Sequence, residues 1–123
     1  MLITAHFKES DWSSCVPPCS SSDMSEELIS RLEYARALCG FPFKITSAYR
    51  SIDYEQEKGR TGSSSHCKGL AVDISCYSDD RRYILVQNLL RAGFSRIGIA
   101  PTFIHADIDI EKNACIWLYN VKK

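Results

Sequence analysis

Two imidazoles and one carboxylate are a common ligand set for a hydrolytic zinc ion, and three residues of this chain offer that set. His66 precedes Asp73 by seven residues, with Gly69 between them to let the chain turn, and His105 lies in a later run, Phe103–Ile110. A catalytic zinc takes three protein ligands at about 2.0–2.2 Å and keeps a further position for water. Each residue also has a plainer reading. A single loop histidine is often only solvated, and Asp107 and Asp109 fit the solvent face of an edge strand. Asp73, flanked by Val72 and Ile74, is harder to set aside, because a strand carboxylate needs a partner wherever it is buried.

Two alternating strands must position these groups. Leu70, Val72 and Ile74 fall on one face of the run 70–76, and Ala71, Asp73 and Ser75 on the other. In the run 103–110, Ile104, Ala106, Ile108 and Ile110 share a face, and Phe103, His105, Asp107 and Asp109 share the opposite one. If the two strands are neighbours, Asp73 and His105 point into one cleft while the apolar faces meet helices. Helix periodicity over 25–39 (Leu28, Ile29, Leu32, Ala35, Leu38) supplies one such helix, with Asp23 and Glu26 resembling a capping box and Gly40 ending it. A second helix starts at Ser78 or Asp79, carries Ile84, Leu85, Leu89 and Leu90, and stops at Gly93. Short strands are expected over 43–49, 94–99 and 115–119. A helical turn is expected near 54–58, and irregular chain over 11–25. The expected fold is α+β: a mainly antiparallel sheet with two helices packed on one face and a zinc cleft on the other, forming one domain over 1–123 with an irregular segment over 1–24.

The string Ser64-Ser-His66-Cys-Lys-Gly69-Leu-Ala71-Val-Asp73 fits the pattern S-x-H-x-x-G-x-A-x-D and resembles the zinc D-alanyl-D-alanine carboxypeptidase family, whose members include L-alanyl-D-glutamate endopeptidases of phage endolysins. Upstream, Ser47-Ala-Tyr49-Arg50-Ser51 is similar to that family's S-x-Y-R-S segment. Downstream, Phe103-Ile-His105-Ala-Asp107 is similar to the f-v-H-x-D strand of its small branch. The resemblance implies that His66, Asp73 and His105 hold Zn2+, and that Arg50 binds the substrate's carboxylate or polarised carbonyl. Ser64 then orients its loop or a ligand, and Tyr49 and Arg96 are candidates for the cleft lining, with packing as the alternative. The chemistry implied is the metal's lowering of the pKa of water and its polarisation of the scissile carbonyl. A carboxylate is needed to move the water's proton. Relatives place a Glu or Asp three residues before the last histidine; this chain has Thr102 there. Asp107 is the candidate in its place, either as the base or as the acceptor that fixes a ligand imidazole. Trp12, Trp117 and Tyr119 read as core or domain edge.

Composition sets the outer bounds. Lys plus Arg and Asp plus Glu each number 15, so the formal net charge is zero and no general grip on nucleic acid is expected. No apolar run approaches the about 20 residues of a membrane-spanning helix. The first residues show no basic and then apolar signal, so synthesis in the cytoplasm is expected, with the bacterial cell wall as the site of action after release or delivery. Without a secretory signal the six cysteines, Cys15, Cys19, Cys39, Cys67, Cys76 and Cys115, are expected to be free thiols. The function these readings imply is a monomeric zinc metallopeptidase that cuts peptidoglycan stem peptides or cross-links, as a D-Ala-D-Ala carboxypeptidase or an endopeptidase, in a phage or prophage setting. The alternative is a non-catalytic zinc domain of the same fold, as in the Hedgehog signalling domain.

Overall fold

The structure, a computed structural model, describes residues 4–119; the ends of the expected domain, including the first three residues of the run read for a signal, lie outside the described residues. The segment expected to be irregular is partly ordered. Helix α1 (Glu9–Ser13) turns Trp12 into the core, where its ring lies 6.2 Å from that of Phe7, and a 3-10 turn follows at Ser21–Asp23. The second helix, α2 (Glu26–Cys39), takes its cap from Ser25 rather than Asp23. The Ser25 amide donates to the Gly69 carbonyl at 3.0 Å, its backbone is extended, and its hydroxyl accepts the Leu28 amide at 3.3 Å. Asp23 serves the preceding turn instead, accepting the Ser20 amide at 3.0 Å. Gly40, at φ 75°, ends α2 in the left-handed conformation that glycine adopts without strain.

Two capped helices follow. Ser51 starts α3 (Ile52–Glu57) by accepting the Tyr54 amide at 3.0 Å, and Ser78 starts α4 (Asp79–Arg91) by accepting the Arg81 amide at 3.3 Å. Five strands make the sheet: β1 (Ile45–Ser47), β2 (Ala71–Ser75), β3 (Arg96–Ile99), β4 (Phe103–Asp107) and β5 (Cys115–Leu118). Their order is β1-β2-β4-β3-β5, antiparallel throughout except for the parallel β3–β5 pair, so the α+β expectation with a mainly antiparallel sheet is borne out. On one face Val72, Ile74, Ile97, Ile104 and Ala106 pack beneath Leu28 and Leu32 of α2 and Leu85 and Leu89 of α4, all buried.

The other face carries one row of residues in register across all five strands: Ser47, Asp73, His105, Gly98 and Trp117. Strand β4 stops at Asp107 rather than Ile110. The Ile108 amide still reaches the Leu70 carbonyl at 3.1 Å, and the chain then turns, with the Lys112 amide on the Asp109 carbonyl at 3.2 Å. The turn inverts two side chains: Ile110, expected on the apolar face, is 93% exposed, and Asp109, expected in solvent, is 0% exposed. All six cysteines are free thiols. Among the described residues no helix is long and apolar enough to cross a membrane.

Candidate metal centre

Asp73 and His105 are direct cross-strand partners on β2 and β4, the strands expected to be neighbours. His66 joins them from a 3-10 turn, Ser65–Lys68, which Ser64 caps by accepting the His66 amide at 3.2 Å and which Gly69 leaves at φ 70°. A Cβ on Gly69 would sit 2.3 Å from the Asp23 carbonyl oxygen, so both the turn and the close approach to the α2 entrance require glycine. One donor atom from each of His66, Asp73 and His105 lies within 4.8 Å of the other two. Asp73 Oδ1 stands 3.3 Å from His66 Nε2 and 3.1 Å from His105 Nδ1. Two ligands held at about 2.0–2.1 Å around a tetrahedral ion lie about 3.3–3.4 Å apart, so this donor set fits zinc in spacing as well as in kind.

The outer nitrogen of each imidazole is tied down, which leaves the inner one as the acceptor a metal needs. His66 Nδ1 donates to the Ala48 carbonyl at 2.6 Å, and His105 Nε2 donates to Asp107 Oδ2 at 2.6 Å. His66 therefore offers Nε2 and His105 offers Nδ1. Burial favours the neutral form of His105, but the Asp107 and Asp73 carboxylates beside it outweigh that and raise its pKa. Burial also opposes the charge on Asp73, but the His105 and His66 imidazoles beside it more than offset this in the metal-free protein, where either can take up a proton on its inner nitrogen, and hold this carboxyl below the usual range.

Asp107 is wholly enclosed. Besides His105 it binds Arg96 Nε, 3.1 Å from Oδ1, and its Oδ1 accepts the Asp109 amide at 3.1 Å. Burial raises its pKa and these partners lower it, with a net lowering. Its oxygens are thus engaged as acceptors, from the His105 imidazole, the Arg96 guanidinium and the Asp109 amide. Asp109 continues the chain of contacts: its Oδ2 accepts Ser65 Oγ at 2.7 Å and it pairs with Lys68 Nζ at 3.1 Å. A closed ring of neighbours results, running His66, Asp73, His105, Asp107, Asp109, Ser65 and back to His66.

A cleft of about 330 Å³ opens over the triad. Arg50 and Ser64 line it, together with Arg96. Arg50 donates its backbone amide to the His66 carbonyl at 3.2 Å and Nη1 to Ser47 Oγ at 3.4 Å, while Nε pairs with buried Glu55 at 3.5 Å. Tyr49 does not line the cleft; its ring packs against the hydrophobic core, leaving Arg50, the next residue, to face the opening. The sequence reading missed Arg60, Lys112, Trp117 and Tyr119 as cleft residues. For the two aromatics a signal existed: Trp117 and Tyr119 alternate with Ile116 and Leu118, but which face of β5 looks to the cleft depends on its parallel pairing with β3, which alternation does not reveal.

The Peptidase M15 sequence model matches residues 5–107, a span holding all three metal-ligand candidates and Arg50. No curated protein matches the chain. The motif, the register of β2 and β4 and the donor geometry agree with that match over most of the chain, which belongs to the Peptidase M15 family.

Proposed function

We propose that this protein is a zinc-dependent metallopeptidase that hydrolyses peptide bonds in peptidoglycan stem peptides or cross-links, acting at the bacterial cell wall. The observation that carries the reading is the His66–Asp73–His105 triad with both outer imidazole nitrogens pinned, since an array preset for one cation is difficult to account for otherwise. Zinc held there would supply Lewis acidity and a water of lowered pKa. The chain's own residues do the rest. Arg50, fixed by Ser47 and Glu55, places a guanidinium at the cleft wall for a substrate carboxylate or for the charge that develops on the carbonyl oxygen. Ser64 holds the turn bearing His66, and Asp107 holds the ring of His105 through Nε2.

One observation favours a second reading, a non-catalytic zinc domain. The carboxylates lining the cleft, Asp73 and Asp107, are both bound to ligand imidazoles, and Thr102 stands where relatives carry an acid. A digest of purified peptidoglycan with mass analysis of the released fragments separates the two. Peptide products from zinc-loaded protein, absent with His66→Ala, support the peptidase; intact sacculi with one zinc bound per chain support the binding domain. The masses released also distinguish cleavage at D-Ala-D-Ala from cleavage within the stem.

A further inference from the structure

The registered row ends in two unlike walls. At the β1 end stand Ser47 and Arg50; at the β5 end stand Trp117 and Tyr119. Strands lie about 4.8 Å apart, so Trp117 on β5 is two spacings from His105 on β4, with β3 between them. Its ring nevertheless lies 5.2 Å from the His105 ring, centroid to centroid. The residue it crosses is Gly98. A Cβ there would stand 2.6 Å from Trp117 Cε2 and Cζ2 and 2.7 Å from Tyr119 Cε2. Gly98 has no positive φ, so close approach alone calls for glycine at this position. The aromatic pair thereby crosses β3 toward the triad, its two rings 6.0 Å apart and tilted to each other, with Phe103 5.2 Å from Tyr119.

The chemistry of this wall is opposite to that of its partner. Among the described residues, the cation stacked on this wall is Arg96, 4.9 Å from the Trp117 ring, and it is already paired with Asp107 at 3.1 Å, so it offers a charged ligand group no free counter-charge. Burying an unpaired charge is costly, whereas apolar surface gains from leaving water. The β5 wall also lies beyond residue 107, where the family match ends. We infer that Trp117 and Tyr119 form a specificity subsite for a small, uncharged apolar side chain next to the scissile bond, and that Gly98 is the positioning residue that lets this subsite reach the metal centre. The inference deepens the peptidase reading and rests on it for the identity of the ligand as a peptide.

The test uses zinc-loaded protein and short peptides with one constant carboxylate-bearing end and a second residue varied among Ala, Leu, Lys and Glu. Hydrolysis is measured alongside the tryptophan indole N–H signals in NMR. The chain has two tryptophans, Trp12 is wholly buried, and the Trp117 signal is the one lost in Trp117→Phe, so Trp12 serves as an internal reference. Ala and Leu peptides are expected to shift the Trp117 signal alone, and Lys and Glu peptides to leave it in place. Trp117→Ala and Gly98→Ala are each expected to raise KM for the apolar peptides roughly tenfold or more. Zinc content is kept, and kcat stays within about twofold, the pattern of lost ground-state contacts. Unchanged KM in Trp117→Ala, or equal shifts from charged and apolar peptides, overturns the subsite. If Gly98→Ala does not fold, Trp117→Ala decides by itself. No hydrolysis, with the selective Trp117 shift intact, sinks the peptidase reading and keeps the subsite. Hydrolysis without any Trp117 shift does the reverse, and the loss of both removes both.

Discussion

The central strand pair and the β5 edge carry opposite parts of the same cleft and are built in opposite ways. Strands β2 and β4 have partners on both sides, their apolar face is covered by α2 and α4, and their polar face holds side chains that bind one another. Strand β5 has one partner, pairs in parallel, and leaves Ile116 and Leu118 exposed. A buried pair held from both sides fixes its side chains to the tolerance a metal requires. An edge strand resting on a glycine gap leaves room for the aromatic wall to differ without disturbing the ligands. In the proposed reading, the difference separates reactivity, placed where the fold is most constrained, from recognition, placed where it is least constrained.

The most direct way to break the centre is to remove a ligand. His66→Ala should lower zinc from about one per chain to near none in elemental analysis. Any peptidase activity should then fall by roughly 10³-fold or more, since the metal supplies several kcal/mol of transition-state stabilisation. Zinc retained by this variant would show that the triad does not hold it. A milder break is Asp107→Asn, which removes the charge behind His105 and leaves Arg96 with a weaker partner. Competition titration with a chelator should show zinc affinity lower by about 10–100-fold. Unaltered affinity together with lost activity would instead restore Asp107 to the proton-transfer role.

The same contrast explains what could be read from the sequence. The triad was legible because its three residues sit in alternating strands and a short turn, where residue type and spacing determine which face a side chain takes. Helices α2 and α4 were legible from apolar periodicity, although Ser25 took the cap that the Asp23 and Glu26 spacing suggested, because the Gly69 carbonyl holds its amide. Alternation alone carried β4 three residues too far, since nothing local announced the turn at Asp109. Tyr49 and Trp117 exchanged places relative to expectation. Tyr49 packs inward, and Trp117 faces the cleft only because β5 returns parallel to β3 and Gly98 gives it room. Such pairings join residues distant in sequence and leave no periodic trace.

Asp109 offers a way to loosen the centre without touching a ligand. It is fully enclosed beside Ser65 and Lys68, so Asp109→Asn loses a charge-assisted contact and should cost about 1.5–3 kcal/mol in denaturant unfolding of the metal-free protein. Burial raises the pKa of this carboxyl, but Ser65, Lys68 and the Glu111 amide lower it further, for a net lowering. A depressed folded-state pKa contributes stability that is present above the unfolded value, about 3.9, and is lost as pH falls through the folded value. The gap between wild type and Asp109→Asn should therefore be full at neutral pH and narrow below pH of about 4. A gap constant down to pH of about 2 would mean that the charge contributes nothing and that shape alone matters.

The smallest effect is expected at the outward face of β5, and a small value there is itself informative. Ile116 is registered with Ile97 but points away from the cleft and is 54% exposed, so Ile116→Thr removes little buried surface and keeps a β-branched side chain on the strand. Unfolding free energy should change by no more than about 0.5 kcal/mol, and zinc content should not change. Trp117, one residue on, has the same backbone pairing and the opposite orientation, toward His105. If Ile116→Thr disturbs peptide KM as much as Trp117→Ala does, β5 acts through its position as a whole strand. If only Trp117 matters, the edge is a tolerant support and its inward ring is the part that meets the ligand.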